Sequence, residues 1–221
     1  MMNLDSIENT VKDFLASLPQ GVLLVAAAKT RSIDEVKAAV RAGITVLGYN
    51  YIQEAEQIYQ DVGNTVHWHM IGNLQRNKVK KALPLFDMIE TVDSVRLAEA
   101  LDRQCALQGK RMPILIEINS GKELNKSGVF PDDVGEFIKK IHVFENIKIQ
   151  GLMTMGPMFG NPEDARPYFK ATKAAFDRIT LEGFTNVEMR YLSMGMSNSY
   201  QIAIEEGANV VRIGTKLFGE R

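Results

Sequence analysis

Eight short runs rich in Val, Ile, Leu and aromatic residues recur along this chain, and helical patterns separate them. Runs of this kind predict strands, and their alternation with helices is typical of βαβ units in a parallel sheet. Eight parallel strands with helices outside close into a (β/α)8 barrel, for which ~200–250 residues is the low end of the range. We therefore predict an α/β fold, one TIM barrel domain over residues 1–221. Its predicted strands are Leu23–Ala28, Thr45–Leu47, Val66–Ile71, Asp87–Thr91, Ile114–Ile118, Ile147–Thr154, Met189–Leu192 and Asn209–Ile213.

The intervening segments have helical periodicity and plausible caps. Apolar residues from Leu4 to Leu18 also predict an extra N-terminal helix before the first strand. An open doubly wound sheet is the alternative, but it would normally have a GxGxxG turn after its first strand, and AAAKTRS does not match that pattern. The predicted helices are Ile33–Ala42, Ile52–Gln60, Val95–Gln108, Val134–Ile141, Pro162–Leu181 and Tyr200–Glu206.

Composition excludes several classes of protein. The formal net charge is −1, so no overall field attracts nucleic acid or anionic lipid, and we interpret the basic cluster Arg76–Lys81 as a solvated helix face. The longest apolar run, Val22–Ala28, is far shorter than the ~20 residues that span a bilayer, and the acidic start does not resemble a signal peptide. Cys105 is the single cysteine, so no disulfide framework exists and a reducing, cytoplasmic location is expected.

Residues that follow the first, seventh and eighth strands suggest a site. Functional groups of such barrels lie at the carboxyl ends of strands, and the loops after strands seven and eight often hold phosphate. Ser193–Ser197 and Arg212–Thr215 offer glycines, hydroxyls and helix starts suited to an anion, and Lys29 follows the first strand. A lysine facing a phosphate site can form a Schiff base, which makes pyridoxal phosphate the first candidate. A solvated lysine is the alternative.

Three further groups need an interpretation. Arg212 lies in an apolar strand, so it requires a partner or a cavity, and an ion pair with Glu117 is the structural alternative to a functional role. His67 and His69 share one strand face, but no third ligand is recognisable, so we predict no metal and expect His69 to be buried and hydrogen-bonded. The methionines of the Met153–Met158 run are expected to form an apolar lining.

Seven stretches in order along nearly the whole chain carry a family resemblance. They are LLVAAAKT (Leu23–Thr30), GYNYIQE (Gly48–Glu54), WHMIGNLQRNK (Trp68–Lys78), NKSG (Asn125–Gly128), GLMTM (Gly151–Met155), SMGMS (Ser193–Ser197) and VRIGTKLFGER (Val211–Arg221). By these stretches the chain closely resembles the pyridoxal phosphate homeostasis proteins, also called proline synthetase co-transcribed homologues. Seven ordered matches are far more specific than any one of them.

The resemblance implies a fold-type III barrel like the N-terminal domain of alanine racemase, with pyridoxal phosphate held as a Schiff base on Lys29. Asn50 would lie beside the cofactor ring, and Arg212 would face the pyridine nitrogen. The phosphate would be held by Ser193, Gly195, Ser197, Gly214 and Thr215. The implied function is intracellular vitamin B6 homeostasis without efficient catalysis, with pyridoxal phosphate-dependent apoenzymes as candidate partners.

Two departures from the family pattern are visible. Tyr49 and Ser199 replace acids that the family usually carries. A slow amino-acid racemase with Lys29 on one face and Tyr49, Tyr51 or His69 on the other is the alternative function. We disfavour it because the second domain of alanine racemase, with its catalytic tyrosine and dimer interface, has no counterpart here; a monomer is expected for the same reason. A third hypothesis is an enzyme that acts on a sugar phosphate, with Lys29 as an aldolase-type amine.

Overall fold

A computed structural model describes residues 3–123, 125–157 and 160–220. Its strands form one closed parallel barrel in the order of the sequence, and β1 pairs with β8 from Leu23 opposite Val210 to Ala26 opposite Ile213. The predicted (β/α)8 barrel is therefore confirmed. The strands are β1 Leu23–Ala27, β2 Val46–Tyr49, β3 His67–Met70, β4 Met88–Val92, β5 Met112–Ile118, β6 Ile147–Thr154, β7 Val187–Ser193 and β8 Val210–Ile213.

The helices surround this barrel, and the extra N-terminal helix α1 is present. Asn3 caps it by accepting from the Ser6 amide at 2.7 Å, and its buried face carries Ile7, Val11 and Phe14. The helices are α1 Leu4–Ser17, α2 Ile33–Arg41, α3 Ile52–Val62, α4 Val79–Ala82, α5 Val95–Gln108, α6 Val134–Ile141, α7 Arg166–Glu182, α8 Tyr200–Glu205 and α9 Thr215–Phe218. In the described part of the chain, no helix combines the length and apolarity that crossing a membrane requires.

The differences from prediction are local. The short helices α4 and α9 were not predicted, because four residues are too few to display a helical period. The predicted helix from Pro162 begins instead with the 3₁₀ turn Pro162–Ala165, and α7 follows it. Strand β7 starts two residues earlier than predicted, since its exposed Glu188 and Arg190 interrupt the apolar run.

Two apolar layers lie on either side of the strands. The larger layer joins the outer face of the barrel to the helices and includes Ala26 and Ala28 of β1 and its extension. Two smaller clusters contain strand residues and Ile71 but no helix residue, so they fill the barrel interior. Val25, with Leu23 and Ala27 packed against the cluster, belongs to the interior. Strand alternation thus sends the odd-numbered residues of β1 inward.

Candidate functional site

The turns that follow β7 and β8 are bonded to each other at the carboxyl end of the barrel. The Arg212 amide donates to the Gly195 carbonyl at 3.1 Å. The Ser197 hydroxyl accepts from the amides of Gly214 at 3.3 Å and Lys216 at 3.4 Å. The two predicted phosphate-holding segments therefore form one continuous surface.

Glycine is required in the first of these turns. Gly195 has φ +88°, and a Cβ there would lie 2.6 Å from Ala203 Cβ and 2.8 Å from Tyr200 Cα. Both contacts are far inside van der Waals distance, so the turn can pack on α8 only without a side chain. The turn after β8 packs closely against the end of β1, because a Cβ on Gly214 would lie 3.2 Å from the Ala27 carbonyl oxygen.

Lys29 follows the same strand end. Leu23, Val25 and Ala27 face the interior, and Lys29 continues that odd-numbered series two positions beyond Ala27. Its side chain is partly exposed, and within residues 3–123, 125–157 and 160–220 it has no hydrogen bond or ion pair. Lys29 is therefore an uncommitted lysine just beyond the strand end that the Gly214 turn approaches.

A cavity of about 410 Å³ opens at this mouth, which is within the ~300–1,000 Å³ typical of small-ligand sites. Of the predicted cofactor-binding residues, Asn50 lines it, and Lys126 is the lysine among its lining residues, whereas Lys29 is not among them. Met155 and Met196 supply part of the expected apolar lining, whereas Met158 lies outside the described residues. The other lining residues are Ile71, Gly72, Asn73, Thr91, Glu117, Ile118, Asn119, Ser120, Gly121, Glu123, Asn125, Ser127 and Gly156.

A chain of buried polar side chains crosses the barrel interior. His69 Nδ1 lies 2.7 Å from one oxygen of Glu90, and the Ser193 hydroxyl donates to the other at 2.7 Å. Arg212 donates to the Ser193 hydroxyl at 2.6 Å and to the Thr154 carbonyl at 2.8 Å. We call His69, Glu90, Ser193 and Arg212 the interior network.

The interior network holds a charge of each sign away from water. Burial alone would raise the pKa of the Glu90 carboxyl, but the His69 hydrogen bond and the charges of His69 and Arg212 bring it below its usual value. Burial lowers the pKa of Arg212, while Glu90 and Glu117 oppose that change. Glu90 is thus an anion paired electrostatically with Arg212.

Arg212 has hydrogen-bond partners, as its position in an apolar strand requires, but they are not the direct ion pair with Glu117 that was the structural alternative. It bonds to Ser193 and Thr154, and Glu117 contributes through its charge. Ser193 also stands apart from the other phosphate candidates, since its hydroxyl is fully buried and engaged by Glu90 and Arg212. His69 is buried and hydrogen-bonded, as expected. No group of three metal-ligating side chains occurs among the residues that the structure describes.

Glu117 is a site residue to which sequence reasoning gave only a structural role. It lines the mouth cavity, and burial together with the nearby Asp93 raises its pKa to about 7, against the opposing charge of Arg212. A carboxyl with such a pKa can take up or release a proton near neutral pH. The sequence contained a signal, because this acid interrupts the apolar strand ILIEI at an inward position.

The two family departures lie away from the cavity floor. Tyr49 is 1% exposed and stacks on Trp68 with ring centroids 5.7 Å apart, outside the barrel interior; burial, then the charge of Glu54, raises its pKa. Ser199 is buried, and its hydroxyl accepts from the Met196 amide at 3.3 Å, so it closes the turn before α8. Of the described residues that line the mouth cavity, none is Tyr49, Tyr51 or His69.

Comparison with known proteins identifies the family of this chain. The family model described as alanine racemase, N-terminal domain, matches residues 2–221. A pyridoxal phosphate homeostasis protein of Aquifex aeolicus is 39% identical over 90% of this chain and 86% of its own, and one of Synechocystis is 36% identical over 95% and 96%. The chain belongs to the pyridoxal phosphate homeostasis protein family. The resemblance inferred from the seven stretches is confirmed.

Solved structures extend this likeness within the family and beyond it. PipY of Synechococcus elongatus, determined with PLP bound, has a TM-score of 0.88 and 30% identity, covering 96% of this chain and 100% of its own. Alanine racemase of Clostridium difficile has a TM-score of 0.78 but 16% identity, covering 99% of this chain and 60% of the racemase. The second match concerns the fold alone.

Proposed function

We propose that this protein binds pyridoxal phosphate (PLP) covalently through Lys29 and works in the cytoplasm as a carrier or regulator of the cofactor, without efficient turnover. The observation that carries the proposal is the meeting of three strand ends: the joined turns after β7 and β8 adjoin the end of β1, where Lys29 is uncommitted. The family to which the chain belongs and PipY, determined with PLP, support it. PLP-dependent apoenzymes would be the recipients, and the carrier would be a monomer.

The residues of the mouth fit PLP. The Lys29 amine would attack the aldehyde carbon and form the C=N bond of a Schiff base, with release of one water. Gly195, Ser197, Gly214 and Thr215 would hold the phosphate through backbone amides and hydroxyls, because their two turns form one surface. Asn50 lines the cavity from the end of β2, where it would lie beside the ring.

Arg212 favours holding the cofactor over reacting with it. Bound PLP supplies an electron sink, whose strength depends on a proton at the pyridine nitrogen. A guanidinium does not readily give up a proton, so Arg212 facing that nitrogen would keep the sink weak. Ser193 and Thr154 fix the guanidinium by hydrogen bonds, so we assign Ser193 a role through Arg212 beyond any contact with phosphate.

Absorbance and labelling test the proposal. Addition of PLP should produce a visible absorbance band, and borohydride should fix the label on the peptide that contains Lys29. The Lys29→Ala variant should lose both, whereas Lys126→Ala, which removes the lysine that lines the cavity, should retain both. A label on Lys126, or an unchanged spectrum on adding PLP to the intact protein, would refute the proposal.

One observation favours the second candidate function, a slow amino-acid racemase or related enzyme. Glu117 lines the cavity with a pKa of about 7, so it could give a proton to a substrate carbon or take one from it near neutral pH. Solvent deuterium exchange at the α-carbon of a panel of amino acids tests this function. Exchange that disappears in both Lys29→Ala and Glu117→Gln would support it, and exchange no faster than in Lys29→Ala would exclude it.

A further inference from the structure

The turn that carries Lys29 has an unusual backbone. Residues Ala28–Arg31 form a four-residue turn that the Arg31 amide closes by donating to the Ala28 carbonyl at 3.1 Å. Its third residue, Thr30, has φ +62°. A positive φ at this position is the mark of a type II turn, where glycine is normal and a β-branched residue is strained. The residue directly after the candidate anchor is therefore held in a conformation that it does not favour.

Strain of this kind persists only where the surroundings impose it. Glu54 of α3 accepts a hydrogen bond from the Thr30 amide at 3.2 Å. On the other side, the Arg31 guanidinium donates to the carbonyls of Phe218 at 3.1 Å and Gly219 at 2.5 Å, at the C-terminal end of α9. The turn is thus clamped from two helices that are distant in sequence.

Packing does not replace the Glu54 contact. Thr30 is exposed, and a cavity of about 340 Å³ borders Thr30, Arg31, Tyr49 and Glu54. The turn therefore has space to relax towards a more favourable φ if the hydrogen bond to Thr30 is lost. Relaxation would turn the peptide between Lys29 and Thr30 and redirect the Lys29 side chain, and misplacement of a reacting group by about 1 Å is enough to impair function severely.

We propose that Glu54 is a positioning residue that fixes the direction of the Lys29 side chain by holding Thr30 in its strained turn. This proposal rests on the proposed function of Lys29 as the PLP anchor. It assigns Glu54 no contact with the cofactor. Loss of Glu54 should act through Thr30 alone, which makes the idea testable by changing Thr30 itself.

The test compares Glu54→Ala, Thr30→Gly and the double variant, with Glu56→Ala as the matched control. Glu56 is an exposed acid two residues further along α3, and no described residue bonds to its side chain. We expect Glu54→Ala to weaken PLP binding about tenfold, since a charge-assisted hydrogen bond is lost and strain is released. Glycine adopts a positive φ freely, so Glu54→Ala should cost only about twofold in the Thr30→Gly background. Glu54→Gln, which keeps an acceptor oxygen, should fall between wild type and Glu54→Ala.

A second readout works on the protein without cofactor. Hydrogen exchange of the Thr30 amide should be at least about tenfold faster in Glu54→Ala than in wild type or Glu56→Ala. Equal exchange rates, or a tenfold loss of PLP binding that persists in the Thr30→Gly background, would overturn the proposal. If wild type fails to bind PLP, the proposed function fails, while the exchange measurement still decides whether Glu54 fixes the turn.

Discussion

Two sets of inward-facing residues occupy successive inward positions on the same strands, and they differ sharply in chemistry. Met88, Leu115, Tyr191 and Val210 belong to the apolar interior clusters, and we call them the apolar set. Two positions further along the same strands, nearer the carboxyl end, are Glu90, Glu117, Ser193 and Arg212, the polar set. One step of strand alternation therefore separates a sealed apolar interior from a polar layer, of which Glu117 lines the mouth cavity.

The comparison separates buried residues that stabilise the barrel from buried residues that carry a desolvation cost. Burying the apolar set is favourable at about 25 cal/mol per Å² of apolar surface. Burying Glu90 and Arg212 carries a desolvation cost that pairing and hydrogen bonds must offset, and such groups are often no more stabilising than apolar residues. The polar set is therefore better explained by function than by stability, through Glu117 at the cavity and through the bonded residues Glu90, Ser193 and Arg212 beside it in the barrel interior.

Breaking the charge balance of the polar set should have the largest effect. Arg212→Met leaves the Glu90 carboxylate buried without its cation, and removal of one partner from a buried pair costs about 3–5 kcal/mol. Urea unfolding at pH 7 measures this loss. The double variant Arg212→Met with Glu90→Leu should recover much of it, and a double variant as unstable as the sum of the two single ones would contradict this account.

Truncation in the apolar set should have the next largest effect. Leu115 is fully buried, so Leu115→Ala removes apolar contacts and leaves a cavity, at a cost of about 3 kcal/mol in unfolding free energy. Its effect on PLP affinity should be small, because Leu115 does not line the described mouth cavity. Leu115→Met conserves volume and serves as the control, with an expected cost below about 1.5 kcal/mol. A large loss of affinity in either variant would mean that the two sets are not separable.

Removal of the ionisable group at position 117 should give a pH-dependent gain. The pKa of Glu117 is about 7 in the folded protein against 4.5 ordinarily, so the folded state holds more protons between these values and wild-type stability falls as pH rises through this range. Glu117→Gln should therefore exceed wild type in unfolding free energy by about 3 kcal/mol at pH 8 and by much less at pH 4.5. Urea unfolding of both proteins across this range is the measurement. A difference that stays constant with pH would rule out a raised pKa.

The smallest expected effects come from one substitution in the polar set and one in an interior apolar cluster, and their order compares the two directly. Ser193→Ala deletes one oxygen but removes one hydrogen bond from each of Glu90 and Arg212, at an expected cost of about 1.5 kcal/mol. Met153→Leu changes a whole side chain in an interior apolar cluster, yet it conserves volume and should cost less than about 1 kcal/mol. Thermal unfolding of the two variants in parallel is the measurement. A lower unfolding temperature for Met153→Leu than for Ser193→Ala would contradict this comparison.

The sequence predicted the barrel because each strand is a local apolar run and its closure follows from their number. The same topology predicted which strand ends meet, so Lys29 and the two glycine turns could be placed together before the structure was known. The interior network could not be predicted, since Glu90 and Ser193 are 103 positions apart and bond only through the closed barrel. Glu90 was missed altogether. Likewise, the sequence does not indicate the strained φ of Thr30, because threonine is common in loops.

Pairing of β1 with β8 joins residues almost two hundred positions apart, and β8 also carries Arg212 and the turn at Gly214. During synthesis, a nascent chain that has not yet released β8 from the ribosome has two open sheet edges, on β1 and β7, each a template for unwanted association. The same chain lacks half of the proposed anion-holding surface. A cofactor bound as proposed would therefore find its complete site only after β8 has joined the barrel.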